Sequence, residues 1–217
     1  MTPSALPPPS FDAAFRATLE TLFRWRRDVR GFRPDPVPEA LLEHLLALAE
    51  LAPSVGLSQP WRIATVDDPA RRTRIRENFT RANAAALACQ TEDRAPLYAT
   101  LKLAGLDAAP IHLAVFAEPD PAQGGGLGRA TMPETTIHSA VMAIHTLWLA
   151  ARAAGLGLGW VSILNPAEVT AALDVPADWH FIGYLCLGWP ELESETPELA
   201  RAGWEHRRNP AQAILRR

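Results

Sequence analysis

Residues 133–164 read PETTIHSAVMAIHTLWLAARAAGLGLGWVSIL, and the fold follows from how this stretch divides. Ile137, Val141, Ile144, Trp148 and Ala151 recur at i, i+4, i+7, i+11 and i+14, which is one face of an α-helix. The other faces are also largely apolar, so this helix, from about Pro133 to Ala154, is expected to be central and buried. Gly155 ends it. Leu158 to Ile163 then reads as a strand. Asn165, Pro166 and Glu168 supply the N-cap, first-turn proline and capping-box acid of a short helix. The apolar run from Val141 to Trp160 is interrupted by His145, Thr146, Arg152 and glycines, so it reads as helix plus strand and not as a membrane span.

Outward from this centre, residues 180–187 read as a further strand. The chain from Trp189 onward is polar and rich in Trp, Arg and Pro, like an arm that needs a partner surface. On the N-terminal side, 119–131 is a Pro/Gly loop, and Pro110 to Ala117 is an apolar run typical of a strand buried on both faces. Residues 69–106 are polar, Arg-rich and Ala-rich, and read as helices with a weak apolar face that suit a cap or lid. Residues 62–67 read as a strand. One helix starts near Pro38, carries Leu41, Leu42, Leu45, Leu48 and Ala49 inward, and stops before Pro53. The first helix runs from 11 to about 27 on Phe11, Phe15, Leu19, Leu22 and Phe23, with Ser10 as its expected N-cap. Strands never follow one another through a tight turn. The expectation is a single α+β domain over 1–217, with helices on both faces of one central mixed sheet.

Apolar residues make up 48% of the chain, charged residues 21%, and the net charge is −3, so no nucleic-acid or membrane partner is expected from bulk properties. Cys89 and Cys186 sit in no C-x-x-C motif, which argues against a disulfide framework or zinc site and for a reducing compartment. Residues 1–10 are proline-rich with no apolar core segment, so a cytoplasmic protein is expected.

Three segments offer chemistry. Arg26-Arg27-Asp28-Val29-Arg30 places three cations within five residues and can hold a phosphate by charge-assisted contacts; the alternative is a solvated basic helix end. Pro53-Ser54-Val55-Gly56-Leu57-Ser58-Gln59-Pro60-Trp61 joins helix to strand with small residues, hydroxyls and an amide, or is an ordinary loop with a core tryptophan. Gly157-Leu158-Gly159-Trp160-Val161-Ser162-Ile163 follows a helix and enters a strand, the reverse of a dinucleotide-binding turn. Gly124 to Gly128 opens no helix, and Ser162 lies in no G-x-S-x-G elbow. The six histidines form no metal-ligand set; His138 and His145 share a helical face, where a core or dimer-interface role is expected. Glu134 and the Arg207-Arg208 pair carry little alone.

Taken in order, these segments resemble the nitroreductase superfamily. The strings RRDVR (26–30), APSVGLSQPW (52–61), LKLAGL (101–106), LGR (127–129), LWLAARAAGLGLGWVSIL (147–164), YLCLGWPE (184–191) and PELARAGW (197–204) are similar to one branch, the BluB family of 5,6-dimethylbenzimidazole synthases. The resemblance spans about residues 20–207. It implies a homodimer with FMN at the interface and an exchanged C-terminal arm, about 189–217. It implies that Arg26, Arg27, Arg30 and Arg207 hold the flavin phosphate and ribityl chain. Pro53, Ser54, Val55, Gly56 and Gln59 would line the flavin, and Gly159, Trp160 and Val161 would touch its ring. Reduced FMN (FMNH2) would be the substrate, supplied by a separate flavin reductase. Molecular oxygen would fragment it to 5,6-dimethylbenzimidazole, the lower ligand of vitamin B12, and erythrose 4-phosphate. Asp28 and Ser162 carry over as the catalytic pair, Asp28 as a general base or proton relay and Ser162 as an orienting hydroxyl. Lys102 and Arg129 are further candidates to reach the ligand. Two other readings share the coarse features: an NAD(P)H-dependent nitroreductase or flavin reductase, and a non-catalytic flavin-binding protein.

Overall fold

The computed structural model describes residues 8–101, 105–209 and 213–214. Four strands form one sheet in the order β1-β2-β4-β3: β1 Trp61–Thr65, β2 Ile111–Ala117, β4 His180–Gly188 and β3 Gly157–Val161. Every pairing between these strands is antiparallel. The expected mixed character reduces to one parallel bridge, between Asp28 and Leu158. The reason is physical: alternation of apolar residues encodes which face is buried but carries no strand direction.

Alternation along the central strands divides the core in two. Leu113 and Val115 of β2, with Leu185 and Leu187 of β4, pack under α2 (Glu39–Ala49) and α6 (Thr135–Ala153). Ala114, Phe116, Tyr184 and Cys186 face the opposite side, under α3 (Pro69–Ala88), α5 (Gly105–Ala108) and α7 (Pro166–Leu173). Each such leucine, fully buried, contributes about 1.5–3 kcal/mol. Helices on both faces of one sheet, in an α+β arrangement, match the pattern of the sequence. Among the described residues no helix is long and apolar enough to cross a membrane.

The helix ends follow local chemistry with one correction. Asn165 caps α7 by accepting from the Ala167 and Glu168 amides, as its sequence implies. The cap of α1 (Ala13–Trp25) is Asp12, whose carboxylate accepts from the Phe15 amide at 2.8 Å, and not Ser10. Both residue types cap well, and the carboxylate two positions on starts the helix later.

The central helix is less enclosed than its composition suggests. One stripe of α6, including Ala140, Ala143, Ile144, Leu147 and Ala151, is buried, while Val141 and Met142 are exposed. His138 and His145 are exposed as well. The neighbouring α1 buries no residue, and its Phe11, Phe15 and Phe23 are exposed. The segment expected as a lid is part core: Ile75 of α3 is buried and Phe79, one turn on, packs on the same cluster. Two apolar residues at i, i+4 suffice to seat a helix whose other faces are polar. The described arm folds back on its own chain. Trp189 packs on the core, Glu193 accepts two bonds from Arg152, and the Glu195 carbonyl accepts from Arg27.

One buried titratable group sets an acid limit. His112 is enclosed between β4 and α5, its Nδ1 3.0 Å from the Tyr184 hydroxyl. Burial first, then the Arg72 guanidinium, push its pKa down to about 4. The unfolded chain therefore binds a proton that the folded chain refuses between pH 6.5 and about 4. Stability is complete above that window and falls by about 3 kcal/mol through it. Urea midpoints measured across the window should fall more steeply for the wild type than for His112→Gln; equal slopes would contradict this account.

Candidate active site

The chain leaves α1 at Arg26 in extended conformation and is stitched down on both sides. The Val29 amide donates to the Leu158 carbonyl at 3.1 Å, the Trp148 indole donates to the Arg27 carbonyl at 3.0 Å, and the Arg33 amide donates to the Trp189 carbonyl at 2.8 Å. The glycines of β3 exist for this contact. A Cβ on Gly159 would land on the Val29 carbonyl oxygen, and one on Gly157 would lie 2.6 Å from a Val29 methyl. Gly159→Ala should accordingly cost about 1–3 kcal/mol and loosen the whole 26–33 segment. A denaturation midpoint equal to wild type would show that this close approach is not required.

That stitching delivers Asp28 to β3. Its Oδ1 accepts from the Trp160 amide at 2.9 Å and its Oδ2 lies 3.4 Å from Arg30 Nε. The Asp28 side chain keeps 38% of its exposure while that of Arg30 keeps 14%. The carboxylate thus sits in a concavity, crowded by protein yet open to a ligand. Desolvation raises its pKa; the Trp160 amide, Arg30 and Arg26 oppose that rise. A recess of about 410 Å³ opens here, walled by Asp28, Arg30, Glu191, Thr196, Glu198 and Arg201. Ser162 stands just beyond the end of β3, not within the expected strand, and is exposed. It lies two positions beyond Trp160, with Val161 between, about 7 Å along extended chain. Gly159, Trp160 and Val161 border a narrow cleft with Asp28 and Arg30.

The three arginines of the first helix end do not act as one group. Extended backbone sends alternate side chains to opposite sides, so Arg30 pairs with Asp28 while Arg27 reaches the arm. Arg26 lies 4.8 Å over the Trp148 ring. Arg26 and Arg27 both feel the charge of Arg207, and the pKa of each is lowered, by burial first and then by neighbouring cations, with Asp28 opposing for Arg26 and Glu195 for Arg27. Among the described residues Arg26, Arg27 and Arg207 form no ion pair, whereas Arg30 pairs with Asp28. Arg24, Arg27, Thr196 and Arg207 border a second recess of about 550 Å³ adjoining the first.

The 53–59 segment is elsewhere. The Val55 amide donates to Ser139 Oγ, near the start of α6, whereas Trp148 contacts Arg26 and Arg27 nine residues on, about 14 Å along the helix. A single chain therefore does not bring Pro53, Ser54, Val55, Gly56 and Gln59 to Asp28. The loop nonetheless has the marks of a binding loop. Leu57 and Gln59 hold left-handed backbone at φ 55° and 42°, a strain kept only where surroundings impose it. Ser54 Oγ accepts from the Gln59 amide at 3.1 Å, and Gln123 donates to Gln59 Oε1 at 2.9 Å. Ser58, one hydroxyl among several in the loop by composition, is buried, and its hydroxyl has no partner among the described residues. Pro53 is exposed, and Gly56 packs against Leu127 and Gly124. Arg129 is engaged by Asp120 at 2.9 Å, Glu134 makes no capping bond at the start of α6, and Lys102 lies outside the described residues.

The nitroreductase family model matches residues 23–189, which contain the Asp28 segment, the 53–59 loop and β3. The chain belongs to the nitroreductase family. Within it, the chain is 62% identical over 200 residues to the 5,6-dimethylbenzimidazole synthase of Rhodospirillum rubrum, covering 92% of this chain and 95% of that one. It is 53% identical over 196 residues to the protein of the same name from Rhodobacter capsulatus, covering 90% and 95%. Among solved structures, an iodotyrosine deiodinase bound to FMN and 3-iodo-L-tyrosine superimposes with a TM-score of 0.69 at 26% identity, over 81% of this chain and 91% of that one.

Proposed function

We propose that this nitroreductase-family chain is a 5,6-dimethylbenzimidazole synthase that takes FMNH2 and molecular oxygen as substrates. The observation that carries the reading is the placement of Asp28, a desolvated carboxylate held by the Trp160 amide beside Arg30 at the head of a recess. Identities of 62% and 53%, over 92% and 90% of the chain, to two relatives of that name support it. The residues fit FMN: Arg26, Arg27 and Arg207 gather positive charge and, among the described residues, form no ion pair, and the buried Ser58 hydroxyl has no partner among those residues. The former would hold the phosphate by charge-assisted bonds.

Reduced FMN supplies the electrons that oxygen accepts and the ring that is broken: the dimethylbenzene ring with its two nitrogens and one ribityl carbon becomes dimethylbenzimidazole, the other four ribityl carbons leave as erythrose 4-phosphate, and the remaining pyrimidine carbons and nitrogens leave as a third fragment that carries both atoms of the oxygen molecule. Asp28 takes a proton from the ribityl side of the substrate, a role that its raised pKa and its exposure to the recess suit. Ser162 orients the ring from the end of β3. Arg30 and Arg26 favour the ionised form of Asp28 against the desolvation that raises its pKa. A homodimer completes the site. The exposed apolar residues of α1 and α6 supply its contact, and the strained 53–59 loop of one subunit then covers the flavin of the other. A separate cytoplasmic flavin reductase supplies FMNH2.

The fate of the flavin tests this directly. With FMNH2 and air, the visible absorbance of oxidised FMN should fail to return in proportion to protein turnover. Full recovery over many reduction cycles would leave an NAD(P)H-dependent flavin reductase as the better reading.

A further inference from the structure

One turn of the arm touches two parts of the molecule. The helix α8, Glu198–Arg201, ends in a reversal at Gly203, whose φ is +76°. The Gly203 amide donates to the Ala200 carbonyl at 3.2 Å, and the Trp204 amide to the Leu199 carbonyl at 2.8 Å. This pair of bonds is the Schellman arrangement, which fixes the direction of the side chain that follows the left-handed residue. Trp204 is thereby aimed at the helices before β2. The Arg94 guanidinium lies 4.7 Å from its ring, and Tyr98 of α4 (Ala95–Thr100) meets it edge-on at 6.0 Å. The Tyr98 hydroxyl donates to Asn83 Oδ1 at 2.9 Å, tying α4 to α3. On its other side, the same turn places Glu198, Arg201 and Ala202 in the wall of the Asp28 recess.

We propose that Trp204 is a positioning residue, a latch through which α4 holds the arm wall of the Asp28 recess in place. The proposal rests on the FMNH2 reading above. With the latch made, Glu198 and Arg201 stand against the recess and limit the access of water. With it broken, the wall loosens and FMNH2 is oxidised without fragmentation. Two electrons and two protons then pass from FMNH2 to oxygen, giving FMN and hydrogen peroxide. A cation–π contact of this class is worth about a five-fold change in such an equilibrium. At the phosphate end, Arg26 and Arg27 lie on the segment stitched to β3, whereas Arg207 lies on the arm three residues after Trp204.

The test compares the ratio of dimethylbenzimidazole formed to hydrogen peroxide released in Trp204→Ala, Trp204→Phe, Arg94→Gln and Gly203→Ala, with FMN affinity measured alongside. Nothing lies within 4 Å of a Cβ built on Gly203, so that substitution perturbs only the backbone angle that aims Trp204. Trp204→Ala and Gly203→Ala should lower the ratio about five-fold or more, with FMN affinity falling by less than the about 10-fold expected for Arg207→Gln. Trp204→Phe should retain most of it. If Trp204→Ala fails to fold, Gly203→Ala and Arg94→Gln decide the matter. Wild-type ratios in these variants would overturn the latch while leaving the synthase intact. A wild type that forms no dimethylbenzimidazole would instead overturn the functional reading, and the latch with it.

Discussion

Asp28→Asn should lower dimethylbenzimidazole formation by about 10²- to 10⁴-fold and leave FMN binding nearly unchanged. The substitution is nearly isosteric. Asparagine keeps an oxygen that can accept from the Trp160 amide, so the 26–33 segment stays on β3. What it loses is the charge and the basicity. Desolvation raises the Asp28 pKa in the folded protein, against the pull of the Trp160 amide and Arg30. A carboxylate with a raised folded pKa favours the fold when protonated, and this contribution is lost as pH rises through that pKa. At neutral pH the ionised group is therefore a cost to the free protein. Asp28→Asn should melt at the same temperature as wild type or higher. Product yield, flavin affinity and melting temperature together separate the roles. A variant that melts earlier and binds FMN poorly would make Asp28 a structural residue, and one with wild-type yield would remove it from the chemistry.

The second large effect concerns the cations away from Asp28. Arg207→Gln should weaken FMN binding about 10-fold, and Arg26→Gln with Arg207→Gln about 100-fold. Riboflavin, which lacks the phosphate, should bind all of these proteins alike. Arg207 is exposed and Arg26 rests on the Trp148 ring, so neither change opens the core. Raised salt should weaken FMN binding to the wild type and affect the double variant much less. Titration of both flavins at two salt concentrations checks this. Equal loss of FMN and riboflavin would place the phosphate elsewhere.

Periodicity made most of the fold readable in the sequence. The long helix, the strand after Gly155 and the Asn165 cap stand where 3.6-residue and two-residue patterns put them. Those patterns do not report direction, so the antiparallel sheet and the parallel Asp28–Leu158 bridge are not legible in them. Nor do they report how an extended segment deals out its side chains. RRDVR reads as one basic cluster, yet its backbone parts Arg30 from Arg27 and seats Asp28 at Arg30. The polar, tryptophan-rich tail looks unable to pack on its own chain. It does so through single residues, Trp189 and Trp204, that no periodicity announces. The 53–59 loop was recognisable by composition, but its strain and the unbonded Ser58 hydroxyl emerge only in three dimensions.

The most direct measurement is the mass-spectrometric yield of 5,6-dimethylbenzimidazole when the purified protein meets chemically reduced FMN in air. Product in proportion to the FMNH2 consumed, and reduced by about 10²-fold or more with Asp28→Asn, is the expected result. FMNH2 recovered wholly as FMN, with no dimethylbenzimidazole, would contradict it.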